Sequence, residues 1–481
     1  MRISSIIPCV RNANGSGHEQ RRQTDGPGKD EVNRMNDFRK TAQEMLEFIR
    51  ISPTCFHAVA NIGRMLEAAG FQQLQEKEEW KLEKGGRYYT ERNDSSVIAF
   101  VIPEKEVGIR GFHMAAAHSD SPCFKIKEKP ELTVEEHYLR LNTEKYGGMI
   151  LSTWLDRPLS VAGRLAVKNG NGIEGRLVNI DRDLCVIPNV AIHMNREMNK
   201  GVEYNLQVDL LPLLADVTFD AHDAQTASEN AEEQPETVEK PTLAALAAET
   251  AGVDAETILG EDLFLYTRQE GKMIGAKGEF VLSPRLDDLQ SVFALTKAFT
   301  ESTPAEYINL CAVFDNEEVG SGTRQGADST FLEDTLQRIT EGLQEGHSTY
   351  LRWVADSFLI SADNAHAVHP NHPEKADPAN RPYLNGGIVI KYHGSQKYTT
   401  DGISAAKMKD YCERAKVPYQ TYANRSDIAG GSTLGNISTA HVSVSSVDIG
   451  LPQLAMHSAV ETAGMKDTEY AVRALKEFWG E

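Results

Sequence analysis

Five short polar clusters in this sequence carry residue types that bind metals or move protons. In Ala117-His118-Ser119-Asp120-Ser121-Pro122, a histidine precedes by two residues a carboxylate that can accept its second ring N–H and fix its tautomer. Taken alone, such a pair is more often a hydrogen-bonded turn. In Ser283-Pro284-Arg285-Leu286-Asp287-Asp288, two adjacent acids begin an apolar helical run. Asp287 is the candidate metal bridge, whereas an ordinary helix cap accounts for Asp288. Phe314-Asp315-Asn316-Glu317-Glu318-Val319-Gly320-Ser321-Gly322 places three acids at the end of an apolar strand, where they are costly unless solvated or metal-bound. Adjacent Glu317 and Glu318 can divide the labour, one binding metal and the other acting as general base. Ser361-Ala362-Asp363-Asn364-Ala365-His366-Ala367-Val368-His369-Pro370-Asn371 offers a carboxylate and histidines after another strand, and Gln453-Leu454-Ala455-Met456-His457-Ser458 offers one more histidine.

Jointly, His118, Asp287, Glu318, Asp363 and His457 make a histidine and carboxylate set of the kind that suits two zinc or similar divalent ions. A carboxylate-bridged pair about 3.5–4 Å apart activates water and stabilises a tetrahedral oxyanion. The inventory therefore points to metal-assisted hydrolysis. Competing chemistries lack their residues. Gly430-Gly431-Ser432-Thr433-Leu434-Gly435 is no nucleophile elbow, the glycines after Glu318 lack the Lys-Ser/Thr of a phosphate loop, and no His-Glu-x-x-His helix occurs.

The elements that must position these clusters read as strands and helices in alternation. Phe38, Thr41, Ala42, Met45, Leu46 and Ile49 share one helical face, and Val59, Ile62, Met65, Leu66 and Ala69 share another that Gly70 ends. The run Val107 to Ala117 reads as a strand leading into His118. Leu159 to Val167 and Gly172 to Ile180 are β-like pieces. Beyond about residue 273, Ile308 to Phe314, Ser357 to Ile360, Ile388 to Tyr392 and His441 to Val447 read as strands, with helices over Leu289 to Phe299 and Thr468 to Phe478. The simplest architecture is an α/β catalytic domain over 35–120 and 271–481, interrupted by a β-rich insertion over 121–270. Within the insertion, the acidic, aromatic-free segment 220–241 reads as a mobile surface loop. Residues 1–34 read as a disordered tail or an over-extended start ahead of Met35.

The formal net charge of −20 argues against nucleic acid and anionic membrane as partners. The 6 cysteines are widely spaced and form no Cys-x-x-Cys pair, so neither a disulfide framework nor a thiolate zinc site is expected. No run is long enough to span a membrane, and the short apolar stretch Ile3 to Val10 lacks a signal-peptide core. The cytoplasm is the default location.

From about Phe38 to the C-terminus the sequence resembles the M18 metallopeptidases, the aspartyl aminopeptidase family. The resemblance rests on the five clusters in order, above all Ser-Ala-Asp-Asn-Ala-His-Ala-Val-His-Pro-Asn and Gln-Leu-Ala-Met-His-Ser, and on Ile192-His193-Met194-Asn195-Arg196. It implies a phosphorylase/hydrolase-like catalytic domain, an inserted dimerisation domain, and a homo-oligomer, a tetrahedral dodecamer, with active sites facing an interior chamber. It also implies two zinc ions per subunit, with manganese or cobalt as alternatives. His118 and Asp363 would hold one ion and Glu318 and His457 the other, with Asp287 as bridge, Asp120 orienting His118 and Glu317 as general base. His193, reaching a neighbouring subunit's site, His366, one helical turn's spacing past Asp363, and Lys391 match substrate-contacting positions. The expected activity is removal of the N-terminal residue, preferring Asp or Glu, from peptides. Preference for neutral residues and a dizinc deacylase of amino-acid derivatives remain the alternatives.

Overall fold

The computed structural model describes residues 29–104, 108–219, 242–431 and 433–481. Residues 1–28 and the acidic segment 220–241 lie outside them, as does the stretch Ile3 to Val10. The first part of the chain forms α1 (Lys29–Arg50), α2 (Cys55–Ala68), β1 (Gln72–Gln73), β2 (Arg87–Arg92), β3 (Ser96–Val101) and β4 (Phe112–His118). There follow β5 (Cys123–Val134), β6 (Tyr138–Tyr146), β7 (Leu159–Asn169), β8 (Gly172–Asn179), β9 (Leu213–Asp216), α3 (Leu243–Ala251) and β10 (Ile258–Thr267). The remainder comprises β11 (Lys272–Ile274), β12 (Phe280–Ser283), α4 (Leu286–Thr300), β13 (Ile308–Phe314), α5 (Phe331–Gly342), α6 (His347–Ala355), β14 (Phe358–Ala362), β15 (Ala365–His366), β16 (Ile388–Tyr392), α7 (Gly402–Arg414), β17 (Tyr419–Ala423), α8 (Leu434–His441), β18 (Ser445–Gly450), β19 (Pro452–Leu454), β20 (Glu461–Gly464) and α9 (Asp467–Trp479).

Among the described residues these strands make three sheets. The largest has 9 strands in the order β1-β2-β3-β13-β4-β14-β18-β16-β17. Its centre, β13-β4-β14-β18, is parallel, with Phe314 opposite His118 and Ala362 opposite Ile449. The carboxyl ends of these strands therefore open on one edge, where α/β sheets usually build their sites. Both faces of the sheet are covered, which explains the unbroken apolar runs. Ala115, Ala117, Val313 and Ile360 pack with α1, α2, α4 and α9. Met114, Ala116, Phe314 and Leu359 pack on the other side with α5, α6 and Leu434 of α8.

The chain between β4 and β11 leaves this layer to form a separate 6-stranded antiparallel sheet, β8-β7-β10-β5-β6-β9, with its own core around Trp154, Leu159, Val161 and Leu263. A third sheet of 5 strands, β11-β12-β20-β19-β15, lies at the opening edge. It is built from the short strands that flank Asp287, Asp363 and His457.

Several local expectations change. α1 begins at Lys29, so residues 29–34 are helical rather than part of a tail. That segment lacks Gly and Pro, so nothing in it stops the helix from starting ahead of the apolar periodicity that begins at Phe38. The strand before His118 starts at Phe112, not at Val107. Residues up to His441 finish α8, so the strand expected from His441 begins at Ser445. His366 does not stand one helical turn from Asp363. Ala365–His366 is extended and pairs with Pro452 and Gln453, because the chain leaves β14 to join the third sheet.

Candidate metal centre

β4 delivers His118 to the sheet edge with its ring almost fully buried. Its Nδ1–H donates to the Asp120 carbonyl at 3.1 Å, with the Asp120 carboxylate at 3.4 Å. This sets the tautomer and turns Nε2 toward Asp287 Oδ1 at 3.8 Å and Asp363 Oδ1 at 4.0 Å. The Asp120 carboxylate has a broader task than holding the imidazole. It accepts the backbone N–H groups of Glu317 and Glu318, each at 3.1 Å, and the Tyr146 hydroxyl at 2.8 Å. Asp120 thereby fixes the turn after β13 that carries both glutamates.

His457 repeats the arrangement from the other side. Its Nδ1–H donates to the Gly148 carbonyl at 2.8 Å, and its Nε2 lies 3.4 Å from both Asp287 Oδ2 and Glu318 Oε2. Gly148 and Tyr146 belong to the inserted unit, so that unit completes the centre. Gly147 has φ +78, and a Cβ there would lie 3.1 Å from the Glu318 Cβ. A side chain at that position would push Glu318 away.

Two ligand sets therefore share Asp287: His118, Asp287 and Asp363, and Asp287, Glu318 and His457. A third grouping, His118, Glu317 and Glu318, overlaps both. Donor atoms 3.4–4.0 Å apart are close to the roughly 3.3–3.6 Å expected between ligands about 2.0–2.2 Å from one tetrahedral zinc. Asp287 Oδ1, Glu318 Oε1 and Asp288 Oδ1 are buried without a hydrogen-bond partner. Such orphaned oxygens in a histidine and carboxylate pocket fit divalent cations.

The electrostatics agree. Burial pushes Glu317 up to about 7, helped by Asp363 and Asp120, and holds Asp288 and Glu318 well above the usual carboxylate range. Asp287 is also buried, yet His457 and His118 draw it below its ordinary value. Asp288 is not a helix cap. It is fully buried and accepts the His118 backbone N–H at 3.3 Å. The position before α4 is taken by Arg285 instead.

A cavity faces these groups, lined by Asp287, Glu317, Asp363, His366, Lys391, Tyr398, Tyr422 and His457. Lys391 is 2% exposed, and its ammonium lies 3.4 Å from Asp363 Oδ2. Burial alone would lower its pKa, but Asp363 and its neighbours outweigh that and raise it. His366 is lowered by desolvation and by Lys391. His193 stands apart, exposed in the inserted unit and outside the residues lining this cavity. Glu461, Tyr146 and Gly148 were not legible in the sequence as parts of the centre, for no local motif marks them.

The family model described as aminopeptidase I zinc metalloprotease (M18) matches residues 48–479. The chain belongs to the M18 peptidases. It is a zinc metallopeptidase of the aminopeptidase type, and its fold is that of M18 relatives. This M18 chain is 48% identical over 444 residues to a probable M18 family aminopeptidase 2 of Clostridium novyi, covering 92% of this chain and 98% of that protein. It is 40% identical to a protein of the same description from Stutzerimonas stutzeri, over 91% of this chain and 97% of that one. Among solved structures, the Ape4 and Nbr1 complex matches with TM-score 0.86 and 37% identity, over 92% of this chain and 86% of that one. The mApe1 dodecamer of S. cerevisiae matches with TM-score 0.76 and 26% identity, over 92% and 97%.

In this M18 aminopeptidase, Gly450 sits where β18 passes under the centre. A Cβ there would lie 2.2 Å from the Asp363 carbonyl oxygen and 2.9 Å from the Lys391 Cε. Gly450→Ala is expected to keep the fold by circular dichroism and to lower kcat by about 10²-fold, the scale of a misplacement near 1 Å at a reacting centre. Wild-type kcat in this variant would contradict the tight fit described.

Proposed function

We propose that the chain removes the N-terminal residue of peptides using two zinc ions per subunit, with Asp or Glu preferred as that residue. The observation that carries the two-ion reading is the pair of ligand sets sharing Asp287. His118 and Asp363 would hold one ion and Glu318 and His457 the other, with Asp287 between them. Manganese or cobalt suits the same donors. When bound, the cations polarise the scissile carbonyl and lower the pKa of the attacking water.

The chain's own residues do the rest. Glu317 lines the cavity beside the shared carboxylate. It takes a proton from the attacking water on a carboxylate oxygen and returns it to the nitrogen of the leaving amine. Asp120 keeps Glu317 in place through its backbone N–H. His366 and Lys391 line the space for the first side chain, and a buried ammonium there favours a carboxylate. A second reading, preference for neutral side chains, is favoured by the 3.4 Å approach of Lys391 to Asp363, which spends part of its charge.

The proposal extends to a homo-oligomer, a dodecamer of tetrahedral form in which the inserted unit makes dimer contacts and His193 reaches a neighbouring site. The support is the likeness to a relative solved as a dodecamer and the exposure of His193 with Ile192 and Met194 beside it. Light scattering should give a mass near twelve chains, and a monomer in solution would end this part of the proposal.

Two measurements test the chemistry. Glu317→Gln should retain the wild-type zinc content by elemental analysis while kcat falls by about 10²–10⁴-fold. Undiminished turnover would remove Glu317 as base. Across a panel of chromogenic aminoacyl amides, Asp and Glu should give the highest kcat/KM, and acylating the amine should abolish turnover. Faster Leu than Asp or Glu would select the neutral reading, and turnover of blocked substrates would select a deacylase.

A further inference from the structure

Asp287 and His457 come from chain segments far apart, yet both are gripped by one side chain. Glu461 is 2% exposed. Its Oε2 accepts the Asp287 backbone N–H at 3.0 Å, and its Oε1 accepts the His457 backbone N–H at 2.7 Å. Each carboxylate oxygen thus serves a different candidate ligand.

The topology explains the reach. Glu461 opens β20, which lies between β12 and β19 in the third sheet. Ser283 of β12, just ahead of Asp287, pairs with Glu461, while Leu454 of β19, just ahead of His457, pairs with Thr462. The backbone on both approaches is unusual. Arg285 has φ +54, Ala455 φ +57 and His457 φ +67. Such left-handed conformations in residues other than glycine persist where surrounding contacts over-determine them. The chain of buried amides continues from this carboxylate. Gln453 donates to Glu461 at 3.5 Å, and Asn364, next to Asp363, donates to Gln453 at 2.8 Å and to the Leu286 carbonyl at 2.9 Å.

We infer that Glu461 is the positioning residue of the metal centre: its carboxylate sets the backbone from which Asp287 and His457 project, and so governs affinity at the set Asp287, Glu318 and His457. The inference rests on the two-ion reading above. It makes the two positions unequal, because Glu461 holds two ligands of that set but only Asp287 of the other. Glu461→Gln is the discriminating change. The amide keeps one oxygen acceptor and turns an NH₂ toward the other N–H, so one of the two grips is lost.

The test is calorimetric titration of the metal-free enzyme with zinc alone. Wild type should take up two equivalents. Glu461→Gln should bind one of them about 10–100-fold more weakly, the usual effect of removing a partner behind a ligand, with the other changed less. Trp479→Phe, altered in the core away from the centre, serves as a control for lost stability. It should lower the thermal midpoint of the metal-free protein and leave zinc affinity unchanged. Zinc binding by Glu461→Gln as tight as in wild type, or weakened no more than in Trp479→Phe, would overturn the inference. If Glu461→Gln does not fold, Glu461→Asp takes its place, since the shorter side chain reaches only one of the two N–H groups. A wild type that binds a single equivalent would end the two-ion reading while leaving the comparison intact: weaker binding of that equivalent in the variant supports Glu461, and unchanged binding rejects it.

Discussion

Carboxylates crowded together away from water repel one another, and the architecture around the sheet edge is arranged to sustain that crowding. Asp120, Asp287, Asp288, Asp315, Glu317, Glu318, Asp363 and Glu461 meet there, offset in part by His118, His457, Lys391 and Arg285. Burial raises most of these acids above their ordinary range, Asp315 to about 7 and Glu461 to about 8. Such an arrangement is costly by itself and becomes favourable when divalent cations occupy it. Rigid surroundings are therefore a requirement, because relaxed acids would simply move apart.

The rigidity comes from three directions. The parallel strands of the large sheet fix where His118, the Glu317–Glu318 turn and Asp363 emerge. The small sheet brings the approaches to Asp287 and His457 to either side of β20. The inserted unit supplies the Tyr146 hydroxyl and the Gly148 carbonyl. Each imidazole has one nitrogen tied to a backbone carbonyl and the other aimed at carboxylates, which removes the tautomeric choice before any metal arrives.

Much of this was legible in the residues. Ile308 to Phe314 and Ile388 to Tyr392 announce themselves as strands because both faces of the sheet are covered and every position is apolar or nearly so. The candidate ligands stand out in the sequence because acids and histidines placed after such strands have few structural reasons to be there. What stayed hidden depends on contacts between distant segments. Nothing near Gly148 or Tyr146 signals that they touch His457 and Asp120, and Glu461 opens a four-residue strand too short to show a period. Asp288 looked like a cap because adjacent acids before a helix usually are, and only the fold shows it turned inward beneath His118. The first turn of α1 escapes a periodicity reading because residues 29–34 include a single apolar residue, Val32.

The Gly148 to His457 hydrogen bond joins residues 309 positions apart. It ties the centre to the history of the chain as it is made. Among the candidate ligands His118 is made first and His457 last, with the loop carrying Gly148 following soon after His118. A nascent or partly assembled chain thus lacks both the final imidazole and the contact that orients it. The candidate centre is therefore assembled only once the segment carrying His457 has been made and has met the loop carrying Gly148.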